Sequence, residues 1–291
     1  MTSTDLLAAE FELHRERLRG LAHRLLGSAA EAEDAVQEAW LRLVRSGAAG
    51  IDDLGRWLTT VVARVCLDVL RSGRRRREEP LEPQQEVRSG AADDPLDEAL
   101  LAESVGLALL VVLERLSPEE RVAFVLHDVF AVPFAEIAPV VQRTPVAAKK
   151  LASRARQRIR GTPPRPDGDV RRQRRVLEAF LAAARGGDVA ALLGVLAPEV
   201  VRHADVHALP AGAPLLLQGA EAVAEETRGN RDRARWARVV LVDGAVGAVV
   251  APRGRLRVVL QPTIAGDQIT RLDVIADPAR LASLDIRLLE A

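Results

Sequence analysis

The segment RTPVAAKKLASRARQRIRG occupies Arg143 to Gly161, just past the middle of the 291-residue chain. Thr144 offers a side-chain oxygen to the first N–H groups of a helix, and Pro145 fits the first helical position without losing a hydrogen bond. Gly161, followed by Thr-Pro-Pro, ends the helix. The segment therefore predicts a well-capped helix that carries a dense stripe of positive charge.

This helix has two contrasting faces when its residues are placed at 100° intervals. The apolar face comprises Ala147, Ala148, Leu151, Ala155 and Ile159. The opposite face comprises Lys149, Lys150, Ser153, Arg156, Gln157 and Arg160. No acidic residue interrupts the segment, so ion pairs within the helix do not explain its charge. The alternatives are a solvated amphipathic helix and a surface that binds a negatively charged partner.

The residues just upstream favour the second alternative. The sequence PFAEIAPVVQRT predicts a shorter helix over roughly Phe134 to Val141, followed by a tight turn. A short helix, a turn of a few residues and a longer basic helix with small residues facing inward are typical of a helix-turn-helix. DNA is therefore the favoured partner.

The charge of the whole chain gives no net field, since 41 basic residues balance 41 acidic ones. Its distribution is uneven, however. The stretch from Leu81 to Glu120 contains ten acidic and two basic residues, whereas the stretch from Thr144 to Arg175 contains eleven basic and two acidic residues. Clustered cations of this kind suit the neutralisation of phosphates. The length predicts two or three domains.

The N-terminal sequence MTSTDLLAAEFELHRERLRG carries charges where a signal peptide needs an apolar core, and no stretch approaches a membrane span. Cys66 is the only cysteine, so it cannot form an internal disulfide, and a buried inert thiol is favoured over a reactive one. These features predict a cytoplasmic protein without a membrane partner.

Helical periodicity extends over the first half of the chain. Ser28 and Glu31 form a capping-box pattern before one helix, and a later helix ends in four arginines, Arg74 to Arg77. A linker rich in Pro, Gln and acidic residues follows. Two more helices are predicted, over Asp97 to Arg115 and over Pro118 to Val129.

The pattern changes at Val170, after a second linker, GTPPRPDGD. The sequence VRRQRRVLEAFLAAARGGDVAALLGVLAPEVV predicts two helices joined by a Gly-Gly-Asp turn. The segment from Arg233 to Asp277 is rich in β-branched residues and contains Asp-Gly, Arg-Gly and Gly-Asp turns. It therefore predicts three or four antiparallel strands.

Four motifs resemble one known family in their order and spacing. EDAVQEAWLRL resembles the core-binding helix of sigma domain 2 of bacterial sigma factors, and RWLTTVVARVCLDVLRSGRRR resembles the helix that binds and opens the minus-ten element. LERLSPEERVAFVLHDVFAVPFAEIAPVVQRTPVAAKKLASRARQRIR resembles sigma domain 4, which reads the minus-thirty-five element. VLEAFLAAARGGDVAALLGVLAPEVV and VIADPARLASL resemble a SnoaL-like domain of the nuclear transport factor 2 superfamily.

The resemblance implies a multi-domain sigma factor of the extracytoplasmic-function group. Its expected fold is two all-α sigma domains, a helical bundle and a helix-turn-helix, followed by a cone-shaped α+β SnoaL-like domain. The expected boundaries are 1–79 for sigma domain 2, 80–96 for a linker, 97–161 for sigma domain 4, 162–169 for a second linker and 170–291 for the SnoaL-like domain.

The resemblance assigns two residue sets within sigma domain 2. The expected contacts with core RNA polymerase are Asp34, Gln37, Glu38, Trp40 and Leu41. The expected minus-ten contacts are Trp57, Arg64, Arg71, Arg74, Arg75 and Arg76. The alternatives are a solvated helix face for the first set and an ordinary core position for Trp57. Opening a duplex costs a few kcal/mol for each unstacked base, roughly, which a pocket for the extruded base offsets.

In sigma domain 4, the first turn of a recognition helix usually reaches base edges and later turns meet phosphates. The expected minus-thirty-five contacts are Thr144, Val146, Lys149, Lys150 and Ser153 for the bases, with Arg156 and Arg160 for the phosphates. Arg154 and Arg158 lie at the edge of the apolar face and are expected to pair with acids of the same domain. Gln142 stands where this turn commonly has a glycine, and Pro139 interrupts the first helix of the motif.

The sequence VRHADVH raises a separate hypothesis for the C-terminal domain. Alternate residues of a strand share a face, so His203, Asp205 and His207 are expected to point the same way. An inward face would form a pocket with an acid–base pair or a two-histidine, one-carboxylate metal site. The alternative is a polar strand face near a rim.

The favoured function is an alternative sigma factor that binds core RNA polymerase and promoter DNA and is modulated in cis by its own C-terminal domain. It needs no catalytic residue, metal or cofactor, because polymerase performs the chemistry. The resting state is expected to be compact, with the acidic stretch from Leu81 to Glu120 against the basic patches, in a salt-sensitive mask. The alternative is a SnoaL-like enzyme or small-molecule sensor fused to a DNA-binding module.

Overall fold

The fold divides into two compact units. A computed structural model describes residues 3–46, 50–78, 104–160 and 168–289. The first unit comprises Met1–Glu98 with Leu113–Arg158, and the second comprises Ala99–Val112 with Ile159–Ala291. The predicted linker 80–96 lies outside the described residues, as does most of the linker 162–169.

Three helices open the first unit: α1 (Ser3–Leu26), α2 (Ala29–Ser46) and α3 (Leu54–Glu78). Their buried apolar side chains form a core that includes Leu18, Leu25, Leu43, Leu58 and Val62. The predicted cap of α2 is confirmed, because the N–H of Glu31 donates to Ser28 Oγ at 3.3 Å.

The helices that follow end in a helix-turn-helix. They are α4 (Ser104–Leu113), α5 (Pro118–Phe124), a π-helical turn (Val125–Val129), α6 (Phe134–Val141) and α7 (Pro145–Arg160). The helix predicted over Pro118 to Val129 therefore changes geometry at Val125. Residues of α4 up to Val112 group with the second unit, and Leu113 onward groups with the first.

The turn between α6 and α7 has a left-handed residue at its centre. Gln142 has φ 56° and ψ 48°, and the N–H of Arg143 donates to the carbonyl of Ala138 at 2.9 Å. The predicted cap of α7 is confirmed by the bond from the N–H of Ala147 to Thr144 Oγ1 at 3.2 Å. Of the residues predicted to face inward, Ala148, Ala155 and Ile159 are buried, while Ala147 and Leu151 are half-buried. Ala152, which the predicted apolar face does not include, is buried as well.

The second unit is built on one seven-stranded sheet with helices packed against it. Its strands are β1 (Leu196–Ala204), β2 (Leu216–Gln218), β3 (Ala237–Val242), β4 (Ala245–Val250), β5 (Val258–Ala265), β6 (Gln268–Ile275) and β7 (Ile286–Arg287). The strand order is β2-β1-β6-β5-β4-β3-β7, and β1 is parallel to β6 while the other pairs are antiparallel.

The helices of this unit are α8 (Gly168–Gly186), α9 (Val189–Val195), α10 (Ala220–Gly229), α11 (Arg231–Ala234) and α12 (Pro278–Ser283). Leu177, Phe180 and Leu181 of α8 are buried in the same apolar core as side chains from β1, β3, β4 and β6. The unit therefore has the α+β architecture that the sequence predicts.

The strand predictions are confirmed in one place and wrong in another. Strands β3 to β6 cover the segment predicted as three or four antiparallel strands. The extension of the second helix through LAPEVV is wrong, because α9 ends at Val195 and β1 begins at Leu196. Pairing on both edges of β1, with β2 and β6, outweighs the local periodicity.

Candidate nucleic-acid interface

The exposed face of α2 combines polar and apolar side chains. Asp34, Gln37 and Leu41 are exposed on this face, with 40% of the surface of Leu41 accessible. Trp40 is half-buried and lies against Phe11 of α1, with the two ring centroids 5.0 Å apart. Glu38 differs from the other four expected polymerase contacts, because its Oε1 accepts a hydrogen bond from Arg42 at 2.8 Å.

A groove of about 340 Å³ runs beside this face, between α1 and α2. Phe11, Val36 and Trp40 supply its apolar surface, and Arg15 and Glu33 form an ion pair at 2.5 Å on its wall. The groove and the exposed face of α2 together offer apolar area flanked by hydrogen-bonding groups, which suits an amphipathic partner helix.

The expected minus-ten residues of α3 are placed in different surroundings. Trp57 is half-buried in the first turn of α3. Arg71 is paired with Glu119 of α5 at 2.9 Å, and Arg64 lies 3.5 Å from the carbonyl oxygen of Pro139 in α6. The side chains of Arg74, Arg75 and Arg76 lie outside the described residues.

The outward face of α7 is open to solvent. Thr144, Lys149, Lys150 and Ser153 are exposed, and 67% of the surface of Val146 is accessible. An exposed valine among cations in the first turn of a recognition helix offers apolar contact to a thymine methyl. All five expected base contacts thus lie at accessible positions of α7 or of the residue that caps it.

The later arginines of α7 make contacts inside the first unit. Arg156 is paired with Asp128 at 2.7 Å, and Arg158 is paired with Glu120, as the sequence predicts for Arg158. Arg154 is exposed, and the side chain of Arg160 lies outside the described residues. Arg143, an exposed cation in the turn before α7, is an additional candidate that the helical pattern does not reveal.

Comparisons with known proteins agree with this arrangement. The family model described as Sigma-70 region 2 matches residues 11–76, and the one described as Sigma-70, region 4 matches residues 106–159. The ECF RNA polymerase sigma factor SigJ of Mycobacterium tuberculosis (strain H37Rv) is 40% identical over 252 residues, which cover 84% of this chain and 80% of SigJ. The chain is a sigma factor of the extracytoplasmic-function group.

Two further comparisons span nearly the whole of the sigma factor. The probable ECF RNA polymerase sigma factor SigI of Mycobacterium tuberculosis (strain CDC 1551) is 35% identical over 297 residues, which cover 98% of each chain. The crystal structure of Mycobacterium tuberculosis SigJ is 34% identical in sequence, covers 94% of this chain and 98% of its own, and has a TM-score of 0.44. As a member of this group, the sigma factor binds core RNA polymerase and directs transcription initiation.

The histidine hypothesis for the C-terminal unit of the sigma factor is wrong in its geometry. Strand β1 ends at Ala204, so Asp205 and His207 lie in the turn beyond it and do not share a strand face with His203. His203 and His207 are exposed, with their Nδ1 atoms 3.6 Å from Asp273 and Asp277 respectively. Among the described residues, no group of His, Cys, Asp and Glu side chains could hold a metal ion.

Asp205 instead holds the turn together. Its carboxylate accepts hydrogen bonds from the backbone N–H groups of Ala276 at 2.7 Å, Asp277 at 2.8 Å, His207 at 3.0 Å and Ala208 at 3.1 Å. Burial opposes the ionisation of Asp205, but these four donors outweigh it and hold its pKa below the ordinary value. The carboxylate ties the end of β1 to the end of β6, which is a structural role.

A cavity of about 110 Å³ lies on the other side of β1, and none of the three expected pocket residues lines it. Its wall includes the apolar side chains of Phe180, Leu260 and Leu272. Arg202, only 1% exposed, lines the cavity as well and is paired with Glu226 through Nε at 2.8 Å. Arg202 could have been predicted as a cavity residue from strand alternation, because neighbouring residues of a strand face opposite sides of the sheet and His203 faces outward.

The described part of the sigma factor contains no helix that is both long enough and apolar enough to cross a bilayer.

Proposed function

We propose that the exposed face of α7 reads the minus-thirty-five element, with Thr144, Val146, Lys149, Lys150 and Ser153 at the bases. The observation that carries this proposal is the exposure of all five on a capped helix whose small residues pack inward. Arg156 joins them as a phosphate anchor only when it leaves Asp128, while Arg160 remains an expected phosphate contact. The expected boundaries of sigma domains 2 and 4 remain part of the proposal.

The face of α2 is the proposed contact with core RNA polymerase. Asp34, Gln37 and Leu41 are exposed at helical spacing, so they present acceptors and apolar area to the same partner surface. Trp40 supports the groove next to them through its contact with Phe11. Glu38 joins this contact once its ion pair with Arg42 is replaced by a pair with a cation of polymerase.

The C-terminal SnoaL-like unit is the proposed regulator in cis. Its cavity, and not the turn with His203, Asp205 and His207, is the candidate place for a small molecule, because it is lined mostly by apolar side chains around the Arg202–Glu226 pair. An enzyme built on this unit is less favoured, since the hydroxyl of Thr227 in the cavity wall donates to the carbonyl of Val223 at 2.7 Å and the carboxylate of Glu226 is paired with Arg202.

The test of the α7 proposal is in vitro transcription with core RNA polymerase on genomic DNA, which maps start sites whatever the promoter sequence is. Lys149→Ala and Lys150→Ala should each lower transcription and binding of the minus-thirty-five duplex about fivefold or more, because a lost base contact costs about 1–3 kcal/mol. Arg171→Ala, at an exposed cation of α8, is the matched control. Equal losses in all three variants would contradict base readout by α7.

The same assay tests regulation in cis. The full chain and a protein that ends at Gly161 should differ in the amount of specific transcript, and the sign of the difference tells whether the C-terminal unit activates or inhibits. Absence of specific starts from both, together with absence of polymerase binding, would contradict the proposed interfaces.

A further inference from the structure

Three arginines of α3 lie along one face of that helix. Arg56, Arg64 and Arg71 follow one another at intervals of eight and seven residues, and seven residues are close to two helical turns. Arg64 and Arg71 belong to the expected minus-ten contacts, and Arg56 precedes Trp57 directly. The face therefore coincides with the surface that should hold the promoter backbone.

Each of these arginines meets a group from the helices of the region-4 match. Arg56 Nε lies 2.7 Å from Glu136 Oε2, in the first turn of α6. Arg64 lies 3.5 Å from the carbonyl oxygen of Pro139, in the last turn of the same helix. Nε and a terminal nitrogen of Arg71 both lie 2.9 Å from Glu119 Oε1, in the first turn of α5.

All three groups carry negative charge or the negative end of a dipole. Glu119 and Glu136 are carboxylates, and the carbonyl of Pro139 belongs to the last turn of α6, where helix carbonyls attract cations. Arg71 and Glu119 are also partly withdrawn from water, with side chains 27% and 24% exposed. A partly withdrawn pair is screened less by salt than a fully exposed one.

We propose that α5 and α6 act as a mimic of the promoter backbone and occupy the minus-ten face of α3 until polymerase or DNA displaces them. Glu119, Glu136 and the Pro139 carbonyl take the positions of backbone phosphates along Arg71, Arg56 and Arg64. The inference rests on the proposed role of α3 in binding the minus-ten element. In this proposal the masking groups, Glu119 and Glu136, belong to the helices of the region-4 match.

The mask leaves the other DNA surface open. The base-contact residues of α7 remain exposed while the arginines of α3 are engaged. The resting protein should therefore bind a minus-thirty-five duplex without hindrance but bind single-stranded minus-ten DNA weakly. A mask should therefore affect the binding of single-stranded minus-ten DNA alone, whereas a general change in the charge of the protein should affect the binding of both DNAs.

The alternative is that Glu119 and Glu136 serve only their own helices, because acids in a first turn stabilise the helix N-terminus. The test therefore uses Glu119→Gln with Glu136→Gln in the full chain, a change that removes both charges but keeps polar side chains of the same length. Glu16→Gln with Glu10→Gln, at exposed acids of α1, removes the same charge and is the matched control.

Two labelled probes are derived from a start site mapped by transcription: the single non-template strand of its minus-ten region and the duplex of its minus-thirty-five region. Fluorescence anisotropy without polymerase should show about three- to tenfold tighter binding of the single strand by the variant, which corresponds to two weak ion pairs lost. Binding of the duplex should stay unchanged, which also shows that α5 to α7 remain folded. The control variant should bind both probes as the unaltered protein does.

A cross-link tests the contact without reference to DNA. In Arg71→Lys, a carbodiimide should join the introduced amine to Glu119 with loss of water, and mass spectrometry of the full chain should find that amide. The joined protein should lose the specific transcription that the Arg71→Lys protein shows before the reaction, whereas the unaltered chain should not lose its own transcription after the same carbodiimide treatment. The proposed mask would be overturned if all variants bound the single strand equally well, or if the amide did not form, while the unaltered protein still transcribed. If the unaltered protein gave no specific transcription at all, the proposed function would be contradicted instead.

Discussion

At the scale of single residues, the sequence VRHADVH shows how one turn changes the meaning of a motif. The alternation rule holds for β1 itself, because Arg202 is buried and His203 is exposed. It fails for Asp205 and His207, because the strand ends at Ala204 and the carboxylate of Asp205 gathers four backbone donors. A sequence does not reveal that end, since two of the donors come from Ala276 and Asp277, which are 71 and 72 residues away.

Asp205→Asn is the corresponding prediction. Because the pKa of Asp205 is lower in the folded protein than in the unfolded chain, its ionised carboxylate stabilises the fold fully at pH values above the unfolded-chain pKa, about 4. This stabilisation is lost as the pH falls through the pKa of Asp205 in the folded protein. The variant should lose about 1–3 kcal/mol of unfolding free energy at neutral pH and less at pH ~3. Urea unfolding at both pH values measures this, with Asp267→Asn at an exposed turn as control. A loss that is the same at both pH values would mean that ionisation is not involved.

At the scale of elements, helices with strong caps and periodicity are predictable from the sequence, and contacts between them are not. The ends of α6 and α7 match the prediction because Thr144, Pro145 and the spacing of small residues act locally. The pairing of Arg71 with Glu119 joins residues 48 apart, so periodicity carries no signal for it. The charge pattern predicts that the acidic stretch from Leu81 to Glu120 masks basic surfaces, and Glu119 of that stretch contacts Arg71 of α3.

The turn between α6 and α7 gives a prediction at this scale. Gln142 adopts a left-handed conformation, φ 56°, which costs a residue with a Cβ about 1–2 kcal/mol but costs glycine little. Gln142→Gly should therefore raise the stability of the helix-turn-helix by up to about 1 kcal/mol after the greater unfolded-chain entropy of glycine is subtracted. Thermal unfolding measures the gain, and Gln142→Ala, which keeps the Cβ, should show none. A matching gain in the alanine variant would point to the side chain of Gln142 instead of its backbone.

At the scale of the whole molecule, most of α4 belongs to the region-4 match by its sequence but to the second unit by its packing. The region-4 family model begins at residue 106, inside α4, yet residues up to Val112 pack with the second unit. Leu110 lies so close to Gly254 of that unit, which has φ 75°, that a Cβ at Gly254 would lie 3.0 Å from it. Leu107, Leu110 and Val111 are each at most 2% exposed. The expected boundary of sigma domain 4 at residue 97 stays a prediction.

Truncation after Gly161 should therefore do more than remove a regulator. It deletes Gly254 and the rest of the second unit beyond α7, so the apolar side chains of α4 lose cover. Hydrogen exchange of the amides in α4 should become at least tenfold faster in the truncated protein, whereas amides of α2 should keep their protection. If α4 stays protected after truncation, a change in transcription reports regulation alone. If it opens, part of that change is the cost of an uncovered helix, and Gly254→Ala in the full chain, which strains the same contact without deleting the unit, then separates the two effects.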